Sequence, residues 1–163
     1  MAISSVVKNF RDGTILIEDG TGVPIDITVQ FENGDFSLSG LNGFKEVTTY
    51  MDRGDLGSVR HTTQSFPTGS FSAHLTDISD GTDNTLIDAA RKQGSFASAV
   101  STLGADAEVM TYKVTWTVEG TDHGDTADHT IVCDDCYLSI DVSEGDPSSM
   151  SMSFTVYGAV TMT

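Results

Sequence analysis

The sequence predicts an all-β protein with one short helix, an antiparallel sandwich or partial barrel occupying residues 1–163 as one domain. Three observations carry this. Apolar and polar residues alternate with period two in four separate segments. Turn-forming dipeptides lie between strand-like runs. The composition is 38% hydrophobic and rich in Ser, Thr, Gly and Asp, which suits strands and turns better than long helices. At 163 residues the chain is long enough to bury one core.

The elements follow in order. Asp12-Gly13 and Asp19-Gly20 bracket a short strand over 14–18. Residues 25–32 alternate without a break: Ile25, Ile27, Val29 and Phe31 against Asp26, Thr28, Gln30 and Glu32. Asn33-Gly34 then supplies a tight turn, since both residues tolerate positive φ. A helix is expected over about 84–93. Thr82 or Asp83 is placed to cap it, Leu86, Ile87 and Ala90 form its apolar stripe, and Gly94 ends it. Residues 95–104 read equally as a second short helix or an irregular strand. Met110, Tyr112, Val114, Trp116 and Val118 share one face of the next strand. Leu138, Ile140 and Val142 repeat the pattern, as do Met150, Met152, Phe154 and Val156, with Gly145-Asp146-Pro147 between these two strands. Strands joined by short turns are mostly antiparallel neighbours.

Residues 41–66, LNGFKEVTTYMDRGDLGSVRHTTQSF, behave differently. They are strand-prone but poorly amphipathic, and Asp52 to Gly57 is polar and interrupted by glycine. The segment reads as a long hairpin with its tip near Arg53–Leu56. A hairpin with no core face protrudes or lies against a neighbouring chain, and its threonine-rich edges invite pairing.

The charge balance excludes several function classes. Eight Lys and Arg face 24 Asp and Glu, a formal net charge of −16. Gripping DNA or an anionic membrane requires the opposite sign. No apolar run approaches membrane-spanning length, so no membrane binding is expected. Met1 to Phe10 lacks the basic and apolar regions of a signal peptide. Cytoplasmic synthesis, with Cys133 and Cys136 reduced, is the expectation.

Candidate chemistry is sparse. His123, His129, Cys133 and Cys136 give H-x5-H-x3-C-x2-C, a spacing foreign to standard zinc sites. The two cysteines fall on opposite strand faces unless Asp134-Asp135 form a bulge. Ordinary strand residues beside a turn are the simpler reading. No nucleophile elbow, phosphate loop or dinucleotide fingerprint is present. Neither an enzyme nor a cofactor or metal is expected. Arg53-Gly54-Asp55 spells an adhesion tripeptide, and a charged loop tip explains it.

Two stretches carry a resemblance. One is VTTYMDRGDLGSVRHTTQ followed by FPTGSFSAHLTDISDGTDNTLIDAA, a hairpin, a strand and an aspartate-rich turn entering a helix. The other is YKVTWTVEGTDHGDTADHTIVCDDCYLSIDVSEGDPSSMSMSFTVYGAV, with its tryptophan strand, acidic loop and "EGDP" turn. In pattern and order, from about residue 25 to the end, the chain resembles the major tail tube proteins of long-tailed bacteriophages, especially non-contractile ones. Tubes of contractile tails and secretion systems are similar, and sequence separates them poorly.

The resemblance implies a β-sandwich subunit that forms hexameric rings. The rings stack into a hollow conduit for DNA, and inner strands from all subunits close a ring-wide β-barrel. It implies a place in the virion tail, assembled in the host cytoplasm, with tape measure, tail terminator and tail tip proteins as partners. The hairpin supplies the expected subunit contacts: Thr48, Tyr50, Arg53, Asp55, Leu56 and Arg60. Asp26, Glu32, Thr62 and Gln64 are the expected bore-lining positions. Six copies carry a formal charge of about −96. An acidic, hydroxyl-rich bore would let DNA pass without adhering, over a range of about 8 Å at physiological salt. A soluble ligand-binding or hydrolytic sandwich is the alternative from another class.

Overall fold

A computed structural model describes residues 13–29, 35–43, 45–75, 84–120 and 127–163. Ten strands and one helix occur among them. The strands are β1 (Gly13–Glu18), β2 (Asp26–Val29), β3 (Ser37–Ser39), β4 (Lys45–Asp52), β5 (Asp55–Gln64) and β6 (Thr68–His74). After the helix come β7 (Tyr112–Val118), β8 (His129–Ser143), β9 (Ser149–Val156) and β10 (Val160–Met162). Eight of the strands join in one antiparallel sheet, ordered β2-β1-β7-β8-β9-β6-β3, with β10 also on β8. β4 and β5 pair only with each other.

Alternation sets which face is buried. Ile15 and Ile17 of β1, Val114 of β7 and Val156 of β9 are fully enclosed, with Trp116, Met152 and Phe154 close to it. Their polar neighbours form the outer face. Ser139, Ser153, Ser70 and Ser37 stand in one cross-strand row over β8, β9, β6 and β3. The hydroxyls of Ser37 and Ser70 are 2.9 Å apart. The sheet curls over its own core. Phe36, beside β3, stacks on Trp116 of β7 with ring centroids 4.2 Å apart. A sandwich made from one continuous curled sheet meets the all-β expectation.

The helix, α1, spans Leu86–Arg91. Its cap is Thr85; Thr82 and Asp83, the expected caps, lie outside the described residues. The Thr85 hydroxyl accepts from the Asp88 amide at 3.1 Å, and the Asp88 carboxylate accepts from the Thr85 amide at 3.2 Å. This reciprocal box satisfies two amides that a helix start leaves open. Lys92 ends the helix in the left-handed region at φ 54°. Residues 94–98 form a 3-10 helix, so the ambiguous stretch is helical at its start and irregular after it. Leu86, Ala89, Phe96 and Tyr112 pack together, and the Tyr112 hydroxyl donates to the Ala89 carbonyl at 2.6 Å. Burial, reinforced by the charge of Asp19, pushes the Tyr112 phenol far above its ordinary range.

Asp19 ties β1 to two loops. Its carboxylate accepts from the amides of Ile25 at 2.8 Å and Val100 at 3.0 Å, and from the Thr21 hydroxyl at 2.8 Å. Burial disfavours its charge, but the bonds from Val100, Thr21 and Ile25 outweigh that and hold the carboxyl below its ordinary value of 3.8. A depressed folded value means Asp19 stabilises the fold fully above the unfolded value. That contribution is lost as pH falls through the folded one. Asp19→Ala strands two partly buried amides, so it is expected to cost about 2–4 kcal/mol and lower the thermal midpoint by about 5–12 °C. The loss should be largest at neutral pH and shrink below pH 3.8, as thermal scans over pH will read.

One strand expectation falls partly outside the described residues, one needs correction, and one strand was not expected. β2 is described only to Val29, so Phe31, Glu32 and the Asn33-Gly34 turn lie outside the described residues. The strand expected to begin near Met110 begins at Tyr112; Met110 packs on the core from the preceding loop. β10 follows β9 and was not anticipated, because three residues are too short to show a period.

Candidate assembly surface

The hairpin of β4 and β5 is built by its turn. Arg53 and Gly54 are its two central residues, with φ 51° and 94°. Positive φ at both positions matches the right-handed twist of the strands, and Gly54 takes its share without steric cost. The tip therefore lies at Arg53-Gly54, which places Leu56 within β5. The adhesion-like tripeptide is a turn sequence here.

Register gives the hairpin two unlike faces. Thr48 stands opposite Arg60 and Tyr50 opposite Ser58; the Thr48 and Thr62 hydroxyls are 3.3 Å apart on the same face. Val47 pairs with His61, Thr49 with Val59 and Met51 with Leu56 on the other face. That face presents Val47, Met51, Leu56 and Val59, each more than half exposed. The hairpin is thus amphipathic, contrary to the sequence expectation. Irregularities in the register, between Lys45 and Val47 and between Tyr50 and Met51, put Leu56 and Val59 on one face despite their three-residue spacing.

Two-stranded ribbons are marginal alone, and grouped apolar side chains in water mark an interaction surface. A second feature lies at the hairpin's base. Gly40, Leu41, Gly43 and Pro67 face Val160 and Met162 across an apolar groove of about 440 Å³. β10 pairs β8 on one side; among the described residues no strand pairs its other edge. Free edge and apolar groove together suit addition of a strand.

The expected site residues separate. Thr48, Tyr50, Arg60 and Thr62 share the polar face, Leu56 belongs to the apolar face, and Arg53 and Asp55 form the turn. Gln64 pairs Lys45 at the base, across the irregular register. Asp26 is exposed on β2 in the other sheet, and Glu32 is outside the described residues. Sequence reasoning missed Val47, Met51 and Val59. Lys45, Arg53 and Arg60 balance Glu46, Asp52 and Asp55, so the hairpin is formally neutral and the net charge of −16 resides elsewhere.

Cys133 and Cys136 lie on the core side of β8. Tyr112 pairs Cys136 and Val114 pairs Cys133, so three steps on β8 match two on β7. Asp135, at φ 54°, makes the bulge that brings both thiols inward. Among the described residues no three His, Cys, Asp or Glu side chains converge as metal ligands. His129 lies at the start of β8, with Nδ1 3.2 Å from the Thr163 carbonyl, and His123 is outside the described residues.

No protein-family model matches the chain, and no curated protein matches it in sequence. Solved structures do match in fold. A chain of the extracellular contractile injection system PVC, in its sheath/tube terminator structure, aligns at 14% identity with TM-score 0.57, covering 99% of each chain. A chain of the PVC sheath-tube complex aligns at 12% identity and TM-score 0.53, covering 99% of this chain and 93% of that one. A chain of the anti-feeding prophage tube-terminating cap aligns at 13% identity and TM-score 0.53, covering 100% and 94%. What is shared at these identities is the fold, over its whole length.

Proposed function

We propose that this chain is a structural subunit of a phage-tail-like tube, one that builds the tube or terminates it, and that the β4–β5 hairpin is its assembly element. The observation that carries the reading is the hairpin itself: a ribbon about 25 Å long with an uncovered apolar face and no partner strand outside itself among the described residues. The fold likeness to contractile injection assemblies favours the contractile kind over the non-contractile DNA conduit that the sequence resemblance put first.

In this reading each subunit's hairpin lies beside a neighbour, with strand edges of the hairpin and β10 paired around the ring. Closure removes the exposed edges, as a head-to-tail interface that closes does. The apolar face turns onto protein, and Thr48, Tyr50, Ser58, Arg60 and Thr62 turn toward the bore. The hairpins then contribute a hydroxyl-rich, near-neutral lining. Any acidic character of the bore comes from residues outside the hairpin.

Sedimentation of the purified chain beside a variant with residues 45–64 replaced by a short glycine-serine linker tests this. The intact chain should form particles of several copies or more, and the variant should stay a folded monomer. Equal assembly by both would remove the hairpin from its proposed role.

A further inference from the structure

We propose that Cys133 and Cys136 form a redox-active dithiol, a site at which a small disulfide such as oxidised glutathione converts the pair to an intramolecular disulfide that locks the bend in β8. The inference concerns the fold of one chain and is independent of the tube reading.

The two cysteines are separated by Asp134 and Asp135, and an undistorted strand would point them to opposite faces. The bulge turns both inward, where each side chain is fully buried. They are neighbours: the Cys136 thiol donates to the Cys133 carbonyl at 3.3 Å, across the bulge that separates the two residues. The backbone is shaped to hold this arrangement. Asp135 occupies the left-handed region, and Gly158 crosses so closely that a Cβ there would come within 2.8 Å of Asp134 and 2.6 Å of the Asp135 carboxylate. Gly158 and Tyr157 both donate backbone hydrogen bonds into the bulge, to Asp134 and Asp135.

The bulge lies where β8 changes partners. Residues before it pair with β10 on one edge, residues after it with β9 on that same edge, and β7 begins opposite it. A covalent link across the bulge fixes the angle between the two halves of the longest strand. The Cys136 proton shared toward Cys133 lowers the Cys133 thiol's pKa and raises that of Cys136, which marks Cys133 as the first nucleophile.

The exchange balances. The Cys133 thiolate attacks one sulfur of oxidised glutathione, breaking its S–S bond and releasing one glutathione thiolate. Cys136 gives up its proton, and its sulfur attacks the Cys133 sulfur of the mixed disulfide, expelling the second glutathione. The protein loses two electrons and two protons, and one oxidised glutathione becomes two reduced. Burial means the oxidant enters only when the bulge opens, so oxidation of the folded chain is slow.

The test treats the purified full chain with oxidised glutathione in two arms, one kept folded and one refolded from urea. Each is alkylated under denaturing conditions and weighed intact. Expected in the refolded arm is a monomer lacking two hydrogens, with neither cysteine alkylated, native circular dichroism and a thermal midpoint raised by about 3–8 °C. The folded arm should reach the same product more slowly. Two alkylatable thiols after oxidative refolding, a stable glutathione adduct, or a disulfide form that cannot regain native structure would each overturn the proposal. Cys133→Ser and Cys136→Ser should each abolish the midpoint rise; the wild-type arms decide the matter if either variant fails to fold.

Discussion

Val47→Asp combined with Val59→Asp is expected to abolish assembly while leaving the folded chain intact. Both side chains lie on the apolar face of the hairpin and are 58% and 53% exposed in the isolated chain. Neither belongs to the core cluster, so a surface substitution should change thermal stability by no more than about 0.5 kcal/mol. In the proposed ring the same positions are covered. A carboxylate buried there without a partner costs several kcal/mol, and the cost recurs at every subunit contact. Thr48→Asp, on the polar face, should be tolerated in the assembly. Light scattering will read assembly, and thermal scans will read the fold. Loss of fold in the double variant would show that the apolar face supports the monomer. Normal assembly would show that it is not an interface.

Gly69→Ala is expected to destabilise the large sheet strongly. Gly69 pairs with Phe154 across β6 and β9, and an added Cβ would lie 2.2 Å from that ring. The ring cannot retreat freely. Phe154 is 2% exposed, and Phe36 lies against it at a centroid distance of 5.9 Å, itself stacked on Trp116. Overpacking of this kind costs about 1–3 kcal/mol, and the locked ring places this case at the upper end. Urea unfolding should show a midpoint shifted down at an unchanged slope. Gly69→Ala with Phe154→Leu should lose less than the two single changes added together, because each relieves the other. A harmless Gly69→Ala would mean the ring is more mobile than its packing implies.

How much of this was legible in the sequence depends on how regular each segment is. β7 and β9 were visible because Tyr112 to Val118 and Met150 to Val156 keep strict alternation under burial; Leu138 to Val142 of β8 alternate as well, although Val142, at the strand's far end, is exposed. The helix was visible from its stripe, but its cap was assigned too early, because Thr82, Asp83 and Thr85 offer the same chemistry to an unseen helix start, and its stop too late: Lys92, not Gly94, ends it, and Gly94 opens the 3-10 helix. The amphipathic hairpin was hidden by its irregular register. Leu56 and Val59, three apart, look out of phase in the sequence and share a face in the structure. The cysteine bulge was conditional for the same reason: only pairing with Tyr112 and Val114 shows that Asp134-Asp135 hold an extra residue. The candidate bore positions were drawn from polar faces alone, and alternation names faces without saying where they end up. Asp26 and Thr62 therefore came from different sheets.

Electron microscopy of the purified chain tests the central claim most directly. The account predicts hollow rings, stacked into tubes for a tube-building subunit or single for a terminating one, with residues 45–64 on the inner wall and their apolar faces against neighbouring protein. Uniform monomers or compact dimers without a central channel, at concentrations where related tubes would form, would contradict it, as would rings whose hairpins project into solvent away from the bore.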